Sequence, residues 1–362
     1  MDKGFFEYLG LADMEKMHSQ ILAWLLSDNC TILNPFQKNQ LFQKVTNNQN
    51  LGSIKHIYTE HKSIDILIET DVAWLVIENK LKSSQHSGQL KKYEKKMQEI
   101  KGAKEVHYIF LTLINENASN PWVNFSYRDL VNILSDFQLD FTTNINAIIF
   151  GEYFRYLVRL TDVVDRFLRT PNSCINVFKD GHLTKFEKAK LNYDGDQKFI
   201  CENQLETILQ KCYLSQSIAR LEALHPDIDF SISETWGVAI IDSFQREKIQ
   251  LGERFYKFGI QYQGGTWKFA LSIADEYLKS DKQWVDNFVN IFVRLALEKA
   301  QGYHQYNKPD SKAWVSVSKK LEEEIYNITI SDFVTLYERE LEHLMILKGQ
   351  VLKKIYRDGY CN

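Results

Sequence analysis

Residues 106–114, the nearly continuous apolar run VHYIFLTLI, restrict the fold more than any other part of the chain. The run is rich in β-branched and aromatic residues and has no regular polar alternation, which is typical of a strand covered on both faces. Such a strand lies in the middle of a sheet that has helices packed above and below it. The chain is therefore expected to contain an α/β domain.

The flanking segments predict the other elements of this domain. Strand-like patterns occur at residues 54–61, 63–70 and 72–80, and the last two are close enough to form a hairpin. Helical patterns occur at residues 13–27, 83–101, 126–137 and 144–168. Together these segments predict a mixed sheet flanked by helices within residues 1–170.

The second half of the chain has a different pattern. Residues 237–243, 248–263 and 266–275 predict an antiparallel meander, with a tight turn at 263–265, and long helices are expected at 283–300 and 331–356. Pro171 and Gly181 interrupt the pattern between the two halves. We therefore expect an α+β domain over residues 171–362, with a role in specificity, oligomerisation or partner binding.

Composition limits the class of protein. The 362 residues are 44% hydrophobic and 25% charged with a net charge of −3, as in a globular protein that is not basic overall. The five cysteines include no CxxC pair, so neither a disulfide framework nor a thiolate zinc site is expected. There is no signal region and no run of about 20 apolar residues, which predicts a cytoplasmic chain without a membrane partner.

Two charged residues end the apolar strand predicted at 72–80. Because side chains alternate along a strand, Glu78 and Lys80 share one face. A hairpin with the preceding strand could bring Asp65 beside Glu78. Two converging carboxylates form the oxygen-rich site that Mg²⁺ prefers, and a neighbouring lysine could orient or deprotonate water or offset developing charge. This set suits phosphodiester hydrolysis, whereas no nucleophile elbow or phosphate-binding loop is present.

The segment after this strand carries polar and basic residues. Gln85, Gln89 and Tyr93 are spaced four residues apart, so they line one face of the predicted helix. Residues 80–104 contain eight lysines against two glutamates, a local charge of +6. This is the best candidate for a nucleic-acid-binding surface, and its proposed members are Lys82, Lys91, Lys92 and Lys95.

The order of these residues resembles a known family. Asp65, the triplet Glu78-Asn79-Lys80 and the pair Gln89 and Tyr93 resemble the D…E-x-K…Q-x-x-x-Y pattern of the PD-(D/E)XK nuclease superfamily. The segment EKMHSQILAWLL at 15–26 resembles the N-terminal E-x-x-H-S helix of bacterial members. The resemblance covers about residues 13–160. One departure is that Ile64, not proline, precedes Asp65.

The resemblance implies a restriction-endonuclease-like fold, cleavage of DNA, and dependence on Mg²⁺ or Mn²⁺. It implies that Asp65 and Glu78 are metal ligands and that Lys80 is the catalytic lysine. It further implies that Gln89 and Tyr93 are catalytic support residues facing the site. Glu15 would be an additional metal-shell carboxylate, and His18, one turn beyond it, a further catalytic candidate. The main-chain carbonyl of Asn79 is a further candidate ligand. Members often occur among phage-defence or restriction genes, so other defence subunits and a second copy of the chain are candidate partners besides DNA.

Other interpretations stay open at this level. A charged strand end is often only a solvated ion pair, and the polar side of an amphipathic helix is often only its wet face. The chain could also keep the nuclease fold without the reaction, as a DNA-binding or protein-interaction subunit of a defence complex. Metal-independent binding without cleavage would distinguish that case.

Overall fold

The computed structural model describes most of the chain. The described residues are 4–9, 14–47, 51–81, 89–113, 118–174, 176–179, 183–235, 238–251, 254–273, 282–299, 302–303, 305–307, 314–320 and 328–357. Two residues of the sequence interpretation, Lys82 and Gln85, lie outside them.

The elements follow one another in chain order. The first half contains α1 Phe5–Tyr8, α2 Glu15–Leu26, α3 Pro35–Val45, β1 Ile54–His61, β2 Ile64–Thr70, β3 Ala73–Lys80, α4 Gln89–Ile100, β4 Glu105–Thr112, β5 Trp122–Ser126, α5 Tyr127–Asp136 and α6 Ile145–Arg169. After a 3-10 turn at Pro171–Cys174 come α7 Asn176–Lys179, α8 Lys185–Lys188, α9 Gly195–Glu202, α10 Glu206–Leu224, β6 Ile228–Thr235, β7 Val238–Gln245, β8 Ile249–Leu251, β9 Arg254–Gln263, β10 Thr266–Ile273, α11 Lys282–Lys299, β11 Gln305–Asn307, β12 Trp314–Lys320 and α12 Ile330–Arg357.

These elements form two compact units. One contains Met1–Arg166 and Ala189–Ile208, and the other contains Phe167–Lys188 and Leu209–Asn362. The exchange of short segments between the units means that each is discontinuous in sequence. A division into domains 1–170 and 171–362 stays a prediction.

The first unit contains a mixed five-stranded sheet in the order β1-β2-β3-β4-β5. Strands β1, β2 and β3 are antiparallel, whereas β4 pairs in parallel with β3 and β5 pairs in parallel with β4. Every residue of β3 is buried, as expected for a strand in the middle of a sheet. The mixed sheet flanked by helices that the sequence predicted is confirmed.

Helix α4 covers one face of this sheet. Its apolar positions Leu90, Tyr93 and Met97 pack into a buried cluster with residues of four strands: Ile64, Leu67, Trp74, Val76, Tyr108, Phe110 and Trp122. Because these buried positions are three and four residues apart, they share one side of α4 and the opposite side faces solvent. Strand β5 was not predicted, because its five residues WVNFS have only two buried positions, Trp122 and Phe125.

The turns have local causes in the sequence. Lys62 and Ser63 both have positive φ, at 51° and 66°, which allows the tight turn between β1 and β2. Gly52 has φ of 76°, and a Cβ there would lie 1.9 Å from Asp71 Oδ1. That carboxylate oxygen accepts a hydrogen bond from Ser53 N at 2.7 Å. Glycine at this position therefore lets β1 begin beside the β2–β3 turn.

The second unit contains a seven-stranded antiparallel sheet. Its main order is β11-β12-β10-β9-β7-β6, and β8 pairs with β9. Helix α12 packs onto it through Phe333 and Tyr337, whose rings contact Trp267. The predicted meander and long helices are present. The sequence analysis did not predict strands β6, β11 and β12. Strand β6 has many polar residues, β11 has only three residues, and β12 alternates Val and Ser.

Two further expectations concern the whole described chain. None of the helices searched among the described residues has the length and apolar character needed to cross a membrane. Cys30, Cys174, Cys201 and Cys212 are all buried.

Candidate active site

The end of β3 brings an acid and a base into contact. Glu78 is completely buried and Lys80 is 8% exposed, and Lys80 Nζ lies 2.8 Å from Glu78 Oε1. Both side chains point to the same face of the sheet because they are two residues apart on the strand. The pair is therefore an enclosed ion pair and not the solvated strand end considered above.

Helix α4 completes the contacts of Glu78. Gln89 Nε2 donates to Glu78 Oε1 at 2.8 Å and also lies 2.8 Å from Tyr93 Oη. The i, i+4 spacing places both side chains on the face of α4 that meets the sheet. Glu78 Oε1 thus receives hydrogen bonds from both Lys80 and Gln89.

Asp65 lies at the matching end of β2. The β2–β3 register pairs Ile66 with Ile77, so Asp65 is next in line opposite Glu78. Its Oδ2 accepts a hydrogen bond from the main-chain N–H of Asn79 at 2.7 Å. The hairpin has thus brought the two acids to the same end of the sheet.

Burial dominates the electrostatics of the two acids. Burial raises the pKa of Glu78 to about 7, with a further contribution from the charge of Asp65 and an opposing one from Lys80. Burial also raises the pKa of Asp65, against the hydrogen bond from Asn79 and the charge of Lys80. Burial, the largest single contribution, would lower the pKa of Lys80, but the charges of Glu78, Glu15 and Asp65 and the hydrogen bond to Glu78 together raise it. The negative charges are incompletely compensated.

One oxygen of this site lacks a partner among the described residues. Glu78 Oε2 is buried and makes no hydrogen bond of ordinary geometry to them, although the Tyr93 hydroxyl lies near enough to lower the pKa of Glu78. A buried carboxylate oxygen without a donor is costly. An orphaned oxygen next to a second acid fits a hard divalent cation, which takes one or two carboxylates and keeps several waters. Within the part of the chain that the structure describes, no group of three or more His, Cys, Asp or Glu side chains could hold a metal.

Helix α2 is joined to the strand end from the other face of the sheet. Glu15 Oε1 accepts a hydrogen bond from Leu81 N at 2.9 Å. Asn79 Nδ2 donates to the main-chain carbonyl of Glu15 at 2.9 Å and to Ser19 Oγ at 3.0 Å. Asn79 Oδ1 accepts from the Tyr127 hydroxyl at 2.6 Å. The buried Asn79 side chain therefore connects β3 to both α2 and α5.

His18 lies in an aromatic environment. It is 2% exposed, its Nδ1 is 2.9 Å from Tyr153 Oη, and its ring packs near Tyr127, Tyr153 and Tyr156. It is one turn beyond Glu15 on α2, as predicted. These contacts favour a role in holding α2 in place.

The sequence reasoning missed the polar contacts around Asn79. It considered Asn79 only for its main-chain carbonyl, and it did not single out Ser19, Tyr127 or Tyr153. Strand alternation offered a signal, because an asparagine on the second face of an otherwise apolar buried strand requires hydrogen-bond partners. The partners themselves come from segments 48 to 64 residues away in sequence.

Helix α4 carries three of the four lysines that the sequence analysis proposed for a nucleic-acid-binding surface. Lys91, Lys92 and Lys95 are exposed, on the side of the helix away from Leu90, Tyr93 and Met97. One face of α4 therefore packs against the sheet near Glu78, and the opposite face carries lysines toward solvent.

Comparison with known proteins adds one positive finding. Residues 3–148 match the family description of the PD-(D/E)XK nuclease superfamily, a range that includes the whole five-stranded sheet and every residue described above up to Tyr127. The mixed sheet with its flanking helices is consistent with a restriction-endonuclease-like fold. No curated protein and no solved structure matches the chain.

Proposed function

We propose, because residues 3–148 match the family model of the PD-(D/E)XK nuclease superfamily, that the chain hydrolyses DNA phosphodiester bonds with Mg²⁺ or Mn²⁺. The observation that carries this proposal is the contact of Glu78 with both Lys80 and Gln89, with Asp65 at the same end of the sheet. These are the residues of the family pattern, and they come from three separate elements.

Each residue has a role in this proposal. Asp65 and Glu78 would hold the ion, with Glu15 and the main-chain carbonyl of Asn79 as further candidate ligands. A divalent ion bound there supplies a Lewis acid that activates water and offsets charge on a phosphoryl oxygen.

The other side chains act on Glu78 or on the substrate. Lys80 carries an ammonium group that orients the attacking water and offsets the charge that develops on the phosphate. Gln89 holds Glu78 by donating to Oε1, which leaves Oε2 available, and Tyr93 in turn fixes the amide of Gln89. His18 supports α2 through Tyr153.

The basic face of α4 would bind the substrate backbone. Lys91, Lys92 and Lys95 are exposed and lie on the helix that also carries Gln89 and Tyr93. Lysines bind phosphates without regard to sequence. Lys82 belongs to the same proposal from its position in the sequence.

The test is cleavage of plasmid and linear DNA, with RNA in parallel, in the presence of Mg²⁺ or Mn²⁺. Lys80→Met and Asp65→Asn should lower the rate about a hundredfold or more, since the first removes the ammonium group at the reacting phosphate and the second weakens a proposed ligand of the ion. Lys55→Met and Asp28→Asn make the same chemical changes at exposed positions and should leave the rate unchanged. Equal cleavage by all five proteins would contradict the proposal. Binding of DNA without cleavage would favour the non-catalytic alternative.

The proposed role in phage defence or restriction rests on the family resemblance. It is tested by the plating efficiency of phages on cells that express wild type or Lys80→Met. Protection by wild type alone is the expected result. Equal plating on both strains, with cleavage intact in vitro, would separate the enzyme activity from the defence role.

A further inference from the structure

A cavity in the second unit has no part in the proposed nuclease site. It has a volume of about 560 Å³ and lies between the start of β6, the end of β7, the middle of β9 and helix α12. Its apolar walls include Ile228, Phe258, Leu341 and Leu344, all of which are buried. We call it the α12 cavity.

Two buried polar atoms line the α12 cavity without a hydrogen-bond partner among the described residues. Gln245 is 4% exposed, and its Oε1 is one of these atoms, although its Nε2 donates to Met345 Sδ at 2.7 Å. The other is His225 Nε2, whose nearest carboxylate oxygen in the described chain, Glu338 Oε1, lies 3.7 Å away. Burying such atoms without partners costs free energy. Gln245 Oε1 can only accept, and His225 Nε2 accepts in the tautomer that carries the proton on Nδ1.

The charge of the lining is negative. Asp227, Glu338 and Glu342 line the α12 cavity, and no lysine or arginine of the described ranges does. Asp227 and Glu342 are exposed, whereas Gln245 is buried, so the acids lie toward solvent and the neutral acceptor lies inside. A complementary ligand therefore has an N–H donor at its inner end, an apolar middle and a positive charge toward the opening.

We propose that the α12 cavity binds a linear aliphatic amine. One ammonium group donates to Gln245 Oε1, the alkyl chain packs against Phe258 and Leu344, and a second ammonium group lies near Glu338 and Glu342. A free diamine or polyamine offers this chemistry, and a lysine side chain on a protein offers part of it. The inference is independent of the proposed nuclease function, because it uses no residue of the first unit.

The experiment is a calorimetric titration of the full-length protein at physiological salt. The probes are cadaverine, spermidine, a short lysine-containing peptide, and a diol and a dicarboxylate with the same chain length as cadaverine. The amines should bind, and the diol and dicarboxylate should not. Tighter binding of cadaverine or spermidine than of the peptide identifies a free amine as the ligand, and the reverse order identifies a protein lysine. No binding of any amine, or equal binding of the diol, would overturn the inference.

Variants test the position of the ligand. Gln245→Met keeps the size of the side chain but removes the acceptor and should weaken amine binding about tenfold, the usual effect of one hydrogen bond to a charged group. Gln245→Glu keeps the acceptor and should bind at least as tightly as wild type. Glu338→Gln should weaken binding about two- to fivefold because this acid is partly exposed. Glu222→Gln is the matched control, since Glu222 is exposed and outside the cavity lining.

Melting temperature is measured for each variant to show that it is folded. Gln245→Met should weaken amine binding, whereas Gln245→Glu at the same position should not. If Gln245→Glu still binds, the loss in Gln245→Met is due to the missing acceptor and not to a disturbed site. Unchanged affinity in Gln245→Met, with wild type binding, would also overturn the inference.

Discussion

Asn79 is expected to stabilise the candidate active site from the face of the sheet opposite Glu78. Its side chain is 1% exposed and takes part in three hydrogen bonds, to the Glu15 carbonyl, to Ser19 Oγ and from the Tyr127 hydroxyl. We predict that Asn79→Leu, a change of similar size, destabilises the first unit substantially.

The magnitude follows from the partners that the change would leave behind. Ser19 Oγ also donates to the Glu15 carbonyl at 3.1 Å, so these two groups would stay hydrogen-bonded to each other without Asn79. The Tyr127 hydroxyl, on a side chain that is 1% exposed, would be left without its acceptor. An unsatisfied buried group costs about 1–3 kcal/mol, and with the weakened α2 contacts we expect a loss of about 3 kcal/mol in the free energy of unfolding.

The assay is urea denaturation followed by circular dichroism. Hydrogen exchange over residues 73–80 assigns the transition to the first unit. Asn132→Leu is the matched control, because Asn132 is exposed on α5 and the change should stay within about 0.5 kcal/mol. A loss in Asn79→Leu that is no larger than in this control would refute the reasoning.

A double-mutant cycle tests the cause of that loss. Tyr127→Phe removes the hydroxyl and leaves Asn79 Oδ1 unpaired, whereas the double variant with Asn79→Leu removes both groups. The double variant should therefore lose about 1–2 kcal/mol less than the sum of the single changes. Strict additivity would show that the hydrogen bond at 2.6 Å does not contribute to stability.

Three other outcomes are expected. Since burial raises the pKa of Glu78 to about 7, the stability that its protonated form contributes is fully present below 4.5, the ordinary pKa of a glutamate side chain, and is lost as pH rises through 7. Glu78→Gln should therefore flatten the pH dependence of metal-free unfolding between about pH 5 and 8, and an unchanged slope would contradict the raised pKa. Mg²⁺ should raise the melting temperature of wild type with the logarithm of its concentration above the Kd but not that of Asp65→Asn, as thermal scans at several concentrations would show. Changing Lys91, Lys92 or Lys95 to Gln should each reduce the salt dependence of DNA binding by about one counterion, measured by fluorescence anisotropy, and an unchanged slope would place the phosphate contacts elsewhere.

The strands and helices nearest the site could be predicted well from local pattern. The predicted strand at 72–80 corresponds to β3, and the hairpin with β2 placed Asp65 opposite Glu78 as expected. Such predictions succeed where periodicity is determined by burial on one or two faces. The short, partly exposed β5 lacked that signal.

The polar contacts across the sheet could not be predicted in the same way. Alternation indicates that Asn79 faces away from Glu78 and Lys80, but it does not show which distant side chain meets it. The partner Tyr127 lies 48 residues later, on a helix whose position depends on the parallel pairing of β4 and β5. Long-range partners of this kind depend on topology, which a local pattern does not contain.

The charges around the strand end bear on the valence of the proposed ion. When all are ionised, Asp65, Glu78 and Glu15 carry three negative charges. Asp65 acts on Glu78, Glu15 acts on Asp65, and all three act on the positive charge of Lys80. The balance is two negative charges at a site where Glu78 Oε2 has no donor within the described ranges. A second lysine would offset only half of that charge, whereas one divalent cation offsets all of it and ligates an oxygen directly. The charges of these side chains are therefore compatible with the divalent ion that we propose for this site.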